Sequence, residues 1–170
     1  MDETTTQLDD VDLAVAAYRQ GGRWVVQEVT LEHCEDVELL ADALRRLGGD
    51  TGAIGLVSVD EDFFVIVRVE GERTRVLLSD ASAAEDWDLA ETVIDLLDEI
   101  DPDDLDERDE RDEDEPAGDL GLLADLGVSE DALEELLDDP DAYPDEVLSD
   151  VARLIGFGEQ FDDVAGLASA

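Results

Sequence analysis

The stretch AIGLVSVDEDFFVIVRVEGERTRVLLS, residues 53–79, decides the fold. It contains three apolar runs, at 53–59, 63–70 and 74–79. Their β-branched and aromatic residues are typical of β-strands. The acidic triplet at 60–62 and the Gly-Glu pair at 71–72 separate the runs, and short breaks of this kind predict tight turns. We therefore expect three consecutive strands here.

The sequence before this stretch predicts a hairpin and a helix. Alternating apolar residues predict a strand at 11–19, and the glycine pair at 21–22 predicts a turn. Residues 23–30 then predict the returning strand. Apolar residues at helical spacing predict a helix over 36–47, and the same spacing predicts another at about 84–100.

The predicted order of elements is β-β-α-β-β-β-α. Strands joined by short turns favour antiparallel pairing, and helices of this kind pack on one face of such a sheet. We therefore predict an α+β domain at residues 11–100, with a five-stranded antiparallel sheet and two helices on one face. The other face of the sheet would be open.

Three segments lie outside this domain. Residues 1–10 are polar and acidic, and we expect a disordered tail. Eleven of the fifteen residues from Asp101 to Glu115 are acidic. Such a segment has too few apolar groups to fold, so we predict an acidic linker at 101–119. Leucines at helical spacing then predict a small helical C-terminal domain at 120–170.

The charge of the chain limits its partners. Fifty-one Asp and Glu residues face ten basic residues, all of them arginine, which gives a net charge of −41. Phosphate backbones are normally bound through Lys and Arg, so we expect no direct binding of nucleic acid and no docking on an anionic membrane. A basic protein surface is the complementary partner. The absence of lysine fits either a GC-rich genome or a halophile.

Other features bear on the compartment. Cys34 is the single cysteine, so the chain can form no internal disulfide, which fits a reducing compartment. The acidic N-terminus lacks the basic start and apolar stretch of a secretion signal. No apolar run approaches the length that spans a bilayer. We therefore expect a cytoplasmic protein.

Candidate catalytic and metal-binding motifs are incomplete. His33-Cys34-Glu35 matches half of the zinc deaminase signature, but the other half requires two further cysteines. The acidic segment 101–112 lacks the glycine and the final glutamate of a calcium-binding loop. No phosphate-binding or nucleophile motif is present. We therefore predict a protein that is not an enzyme, with no cofactor and no metal.

Two features are candidates for recognition. Ser79 and Asp80 end the last strand of the quoted stretch, where they could cap the next helix or form an exposed recognition loop. Phe63 and Phe64 are neighbours in a strand and must point to opposite faces of the sheet. One ring would then lie on the open face, where an exposed aromatic could dock a partner.

The order of segments along almost the whole chain resembles that of the actinobacterial tRNA adenosine deaminase-associated protein family. The most specific stretches are VLLSDASAA at 76–84, PAGDLGLLADLGVS at 116–129 and RLIGFGEQF at 153–161. The resemblance implies an association with tRNA adenosine deaminase, the zinc enzyme that makes inosine at the wobble position. It offers no catalytic or ligand residues to transfer. An actinobacterial origin would favour the GC-rich explanation for the missing lysines.

These observations predict a non-catalytic accessory protein that acts with the tRNA adenosine deaminase in wobble adenosine-to-inosine modification. The alternative is a general acidic protein-binding module, or a mimic of nucleic-acid charge, unrelated to tRNA. A hydrolase or deaminase in its own right ranks last, because no complete catalytic motif is present.

Overall fold

The structure is a computed structural model. It describes residues 11–29, 36–47, 52–59, 63–71, 73–100, 116–118, 120–138 and 143–165. The predicted tail at 1–10, the triplet His33-Cys34-Glu35 and most of the predicted linker lie outside the described residues.

Within the described residues, six strands form one antiparallel sheet in the order β2-β1-β3-β4-β5-β6. The strands are β1 (Val11–Gln20), β2 (Arg23–Glu28), β3 (Ala53–Val59), β4 (Phe63–Glu70), β5 (Arg73–Leu78) and β6 (Ala117–Gly118). The helices are α1 (Val37–Leu47), α2 (Asp88–Ile100), α3 (Glu130–Leu137), α4 (Pro144–Ile155) and α5 (Gly158–Ala165). The α+β class and the antiparallel sheet are confirmed.

The central strands are buried on both sides. Every residue of β3 is buried, and so are the first seven residues of β4. A strand with one solvated face alternates apolar and polar residues, whereas β3 and β4 are apolar almost throughout. The sheet therefore separates two hydrophobic cores, one on each face.

The first core lies between the sheet and helices α1 and α2, as predicted. Leu40 and Leu44 of α1 pack over Gly55, where an added Cβ would lie 3.1 Å from a Leu44 methyl carbon. Thr92 of α2 joins the two helices, because its Oγ1 accepts a hydrogen bond from the Val37 backbone N–H at 3.0 Å. Its hydroxyl in turn donates to the Leu89 carbonyl oxygen at 2.7 Å.

The second core lies on the other face, which was expected to be open. Buried side chains of the C-terminal segment, among them Leu133, Val151 and Phe157, pack there against Leu56 and Ile66 of the sheet. The expectation of an open face is corrected: the C-terminal helices bury the even-numbered residues of β4. The boundary predicted between an α+β domain and a C-terminal helical domain thus crosses a shared core.

Strand β6 lies within the predicted linker. Ala117 and Gly118 pair with Leu78 and Leu77 at the edge of the sheet. Gly118 has a φ of 120°, and a Cβ at this position would collide with the Val76 carbonyl oxygen. Only glycine combines this backbone angle with such a close approach. The chain therefore rejoins the sheet before it covers the second face.

A buried arginine joins the sheet to the C-terminal segment. Arg68 of β4 is 1% exposed and lies on the second face. Its guanidinium donates to the Leu122 carbonyl oxygen at 2.8 Å and binds both carboxylate oxygens of Asp125. Its Nε lies 3.1 Å from Oε1 of Glu70. The buried positive charge is therefore satisfied by groups from both parts of the chain.

The contacts with Arg68 change the acidity of the Asp125 carboxyl. The hydrogen bond from Arg68 holds the pKa of its carboxyl below the usual value of 3.8. Arg75, which lies directly opposite Arg68 on β5, adds a smaller attraction in the same direction.

No described helix is both long enough and apolar enough to cross a membrane.

Candidate docking cleft

Helix α4 has a buried side and a polar side. It begins at Pro144, which is favourable in a first turn, and Asp145 and Glu146 complement the positive end of the helix dipole. Val147, Leu148, Val151 and Ala152 are buried in the second core. This spacing fixes which side of the helix is left to face outward.

The polar side of α4 and one residue of α5 line a cleft of about 470 Å³. The lining residues are Asp145, Glu146, Ser149, Asp150, Arg153 and Asp162. Five of them come from α4, at positions one and four residues apart, and therefore project from one side of the helix.

Ser149 and Arg153 hold the two helices together at the cleft. The hydroxyl of Ser149, which is 5% exposed, donates to Oδ1 of Asp162 at 2.7 Å. The Arg153 guanidinium lies 3.3 Å from Asp150 Oδ1 and 3.5 Å from Asp162 Oδ2. Gly158 permits this approach, because a Cβ there would collide with the Arg153 side chain. The position of Asp162 is therefore well defined.

The cleft is strongly negative. Four carboxylates and one guanidinium line it. Its described lining contains no histidine and no thiol, and the Ser149 hydroxyl is hydrogen-bonded to the Asp162 carboxylate. Within the described part of the chain, no cluster of side chains has the arrangement of a metal site. The chemistry that suits this cleft is the binding of a cationic side chain.

Two exposed apolar side chains flank the carboxylates. Tyr143, immediately before α4, is 53% exposed, and Leu154 near the end of the helix is 49% exposed. Glu146, Asp150 and Leu154 are spaced four residues apart and share one side of α4. Exposed aromatic and aliphatic groups beside charged ones are typical of protein-binding surfaces.

The residues singled out from the sequence lie elsewhere. Ser79 extends the pairing of β4 and β5: its N–H donates to the Phe64 carbonyl at 3.0 Å, and its Oγ accepts from the Phe64 N–H at 2.8 Å. The Asp80 carbonyl oxygen accepts the Ala83 N–H, which begins a 3-10 turn over Ala81–Glu85. Both residues are half-buried. Their role as a recognition loop stays a prediction.

Phe63 and Phe64 point to opposite faces, but neither is exposed. Phe63 lies in the first core, with its ring centroid 6.0 Å from that of Trp87. Phe64 is 2% exposed and lies in the second core. The expectation that one ring lies on an open face is corrected, because the C-terminal helices cover that face.

The sequence patterns did not single out the cleft residues. The acidic spacing of Glu146 and Asp150 on a helix with an apolar opposite side was a usable signal for a negative helix surface. Asp162 gave no such signal, because its place beside Arg153 depends on how α5 returns against α4 after Gly156.

Comparison with known proteins gives two matches. Residues 12–158 match a family model described as "Rv3753c-like tRNA adenosine deaminase-associated protein". The chain is also 44% identical over 150 residues to Protein Rv3753c of Mycobacterium tuberculosis (strain ATCC 25618 / H37Rv), covering 88% of this chain and 85% of that protein. No solved structure matches the chain. The family match covers the sheet and α4, and ends where α5 begins.

Proposed function

We propose that the chain, which belongs to the Rv3753c-like tRNA adenosine deaminase-associated protein family, is a non-catalytic accessory protein that binds the tRNA adenosine deaminase. In this proposal it acts with that enzyme in the conversion of wobble adenosine to inosine. The contact is made through the acidic cleft of α4 and α5. The observation that carries the proposal is the negative cleft flanked by Tyr143 and Leu154, in a chain whose family is described by its association with that deaminase.

Electrostatics favours such a contact. An enzyme that handles tRNA needs cationic side chains to meet the phosphate backbone. A cleft with four carboxylates and one arginine presents the opposite charge, and complementary charge speeds encounter and selects partners. The exposed Tyr143 ring and Leu154 supply apolar area, which the charged groups alone do not offer.

The arrangement of the cleft favours binding over catalysis. Ser149 and Asp162 are bonded to each other, and Arg153 lies across two carboxylates. These side chains are thus committed to holding α4 against α5. The Ser149 hydroxyl is buried against Asp162, which also pairs with Arg153, so the described residues of this cleft present no exposed nucleophile.

The test is co-purification of the two proteins from an actinobacterial host. The double variant E146Q/D150N removes two cleft charges four residues apart on α4. The matched control E91Q/D95N removes two exposed charges with the same spacing on α2, on the other face of the sheet. We expect the deaminase to co-purify with the wild-type chain and the control, and its recovery with E146Q/D150N to fall about tenfold, since each exposed charge pair contributes about 0.5–1 kcal/mol.

Three results would overturn the proposal. One is the absence of the deaminase from the wild-type complex at moderate salt. Another is an equal loss with both variants, which would make the whole-chain charge responsible. The third is capture of many unrelated basic proteins with no preference for the deaminase, which would indicate the general acidic module instead.

A further inference from the structure

The arginines are gathered at one end of the sheet. The described residues include eight arginines, and Arg153 is the one that lies in the acidic cleft. The other seven lie at the end of the sheet formed by the β1–β2 turn, the β4–β5 turn and the last turn of α1. We call this the arginine end: Arg19, Arg23, Arg45, Arg46, Arg68, Arg73 and Arg75.

The strand registers place these residues on adjacent rows. Tyr18 is opposite Ala53, Ala53 opposite Val69, and Val69 opposite Thr74. A row here is a set of residues that lie side by side on neighbouring strands. One residue nearer the end of the sheet, Arg19 and Arg73 lie on the same row, and their side chains are on the same face. They are three strand spacings apart, about 14 Å.

Helix α1 contributes its own arginines to this end. Nη2 of Arg45 donates to Oγ1 of Thr74 at 2.6 Å, which brings the last turn of α1 against the start of β5. Arg46 is the next residue and is exposed. Arg45 and Arg46 thus lie on the side of this end where α1 packs, whereas Arg19 and Arg73 lie on the second face, with Glu70 on the same row. The arginines are spread over both sides of the sheet end, rather than gathered in a pocket for one small anion.

Few described carboxylates of the sheet and α1 lie at this end, although Glu70 is paired directly with Arg73. The described residues of the sheet and α1 contribute Asp42, which pairs with Arg45 at 2.8 Å, and Glu70, which lies near Arg68. Asp125 binds the buried Arg68, whereas Arg19, Arg23, Arg46 and Arg73 are exposed.

The net charge of the chain therefore hides a local excess of positive charge. Charges interact over about 8 Å at physiological ionic strength, so the distant carboxylates are largely screened from this end. Guanidinium groups bind phosphate oxygens through paired N–H groups. The expectation of no nucleic-acid contact came from the charge summed over the chain, and such a sum does not describe this surface.

We propose that the arginine end binds the phosphate backbone of RNA. The choice of RNA over an acidic polypeptide rests on the proposed function, because a protein that joins a tRNA-modifying enzyme works beside tRNA. The acidic cleft and the arginine end are then separate surfaces, one for the enzyme and one for its substrate. The strongly acidic remainder of the chain limits RNA to this one end.

The test measures binding of the full chain to a labelled tRNA transcript by fluorescence anisotropy, without the deaminase. R19Q/R73Q removes two exposed charges from the end row. The control L39E/Q27E changes the net charge by the same amount at exposed positions nearer the opposite end. We expect R19Q/R73Q to weaken binding about tenfold and to lower the salt slope by about two, and the control to change neither appreciably.

Each contrary result has one meaning. No binding at about 50 mM salt, where phosphate contacts are strongest, would overturn the proposal. An equal effect of both variants would show that net charge alone matters. Competition by poly-glutamate as effective as that by unlabelled tRNA would assign the surface to acidic polypeptides. Because the assay contains no deaminase, a failed co-purification would count against the proposed function and leave this result standing.

Discussion

The two faces of the sheet differ in the chemistry that holds their helices. On the first face, α1 and α2 pack through a core of buried apolar side chains. On the second face, the core also encloses Arg68, and a buried serine joins α4 to α5. The helices that cover the first face are close in sequence to the strands. The segment that covers the second face follows the acidic stretch at 101–115. Apolar packing fills both cores and a hydroxyl joins the helices on each face, but the buried charge of Arg68 holds the more distant segment on the second face alone.

The largest effects should come from truncating one phenylalanine in each core. Phe63 packs near Trp87 in the first core, and Phe157 lies 4.9 Å from Trp24 in the second. Both are fully buried. We expect Phe63→Ala and Phe157→Ala each to lower the free energy of unfolding by about 3–5 kcal/mol, measured by denaturant unfolding.

The same two tryptophans test whether the faces unfold together. With Trp24 or Trp87 replaced by Phe in turn, each remaining fluorophore reports one core. Because β3 and β4 have side chains in both cores, we expect the two signals to change at the same denaturant concentration. If Phe157→Ala shifted the Trp24 signal and left the Trp87 signal in place, the C-terminal segment would be an independent domain, as the sequence analysis expected.

The next effect concerns the charge on the second face. Asp125→Asn should cost about 2 kcal/mol, because it weakens the charged hydrogen bonds that satisfy the buried Arg68, while solvent screens the half-exposed Asp125 carboxylate. The control is Asp42→Asn, which breaks the exposed pair with Arg45 and should cost less than about 1 kcal/mol. Equal costs would mean that Arg68 does not depend on Asp125.

The effect of Asp125 should also depend on pH. The pKa of its carboxyl is lowered in the folded protein, so its contribution is present above the unfolded value of 3.8 and is lost as pH falls through the folded value. The difference in stability between wild type and Asp125→Asn should therefore narrow as the pH falls below about 4. A difference that stayed constant through that range would rule out the ionised pair.

The first face could be predicted from sequence because its information is local. The pattern at 53–79 predicted β3 and β4 with their observed bounds, and predicted β5 with each bound one residue later than observed. The sequence also contained an indication that the second face is buried. Residues 53–59 and 63–69 are apolar almost without alternation, which is typical of strands buried on both sides. The prediction of an open face did not use that signal.

Other features depend on contacts between distant residues. Arg68 stands in an apolar run, and nothing near it indicates that Asp125, 57 positions later, satisfies its charge. The cleft requires Asp162 to meet Ser149 and Arg153, which depends on the return of α5 against α4. The arginine end appears only when the strand registers bring residues from 19 to 75 to one end of the sheet.

A smaller effect is expected at the strand that links the two faces. Gly118→Ala would place a Cβ against the Val76 carbonyl oxygen at a φ of 120°, so we expect a loss of about 2 kcal/mol. Gly71 is the control. Its φ is 60° and nothing lies within 4 Å of an added Cβ, so Gly71→Ala should cost about 1 kcal/mol. Thermal unfolding would compare the two, and an equal loss would show that β6 can leave the sheet at little cost.

The smallest losses of stability are expected when the hydroxyl that joins the two helices on each face is removed. Thr92→Val leaves the Val37 N–H without its acceptor in the first turn of α1, and we expect a cost of about 1–1.5 kcal/mol. Ser149→Ala should cost about 0.5–1 kcal/mol. The Asp162 carboxylate would still pair with Arg153, and part of the Asp162 side chain is exposed to water, so it would not be left unsatisfied. Chemical denaturation of both variants gives the order. A larger loss for Ser149→Ala than for Thr92→Val would mean that the cleft hydroxyl stabilises the second face more than its geometry indicates.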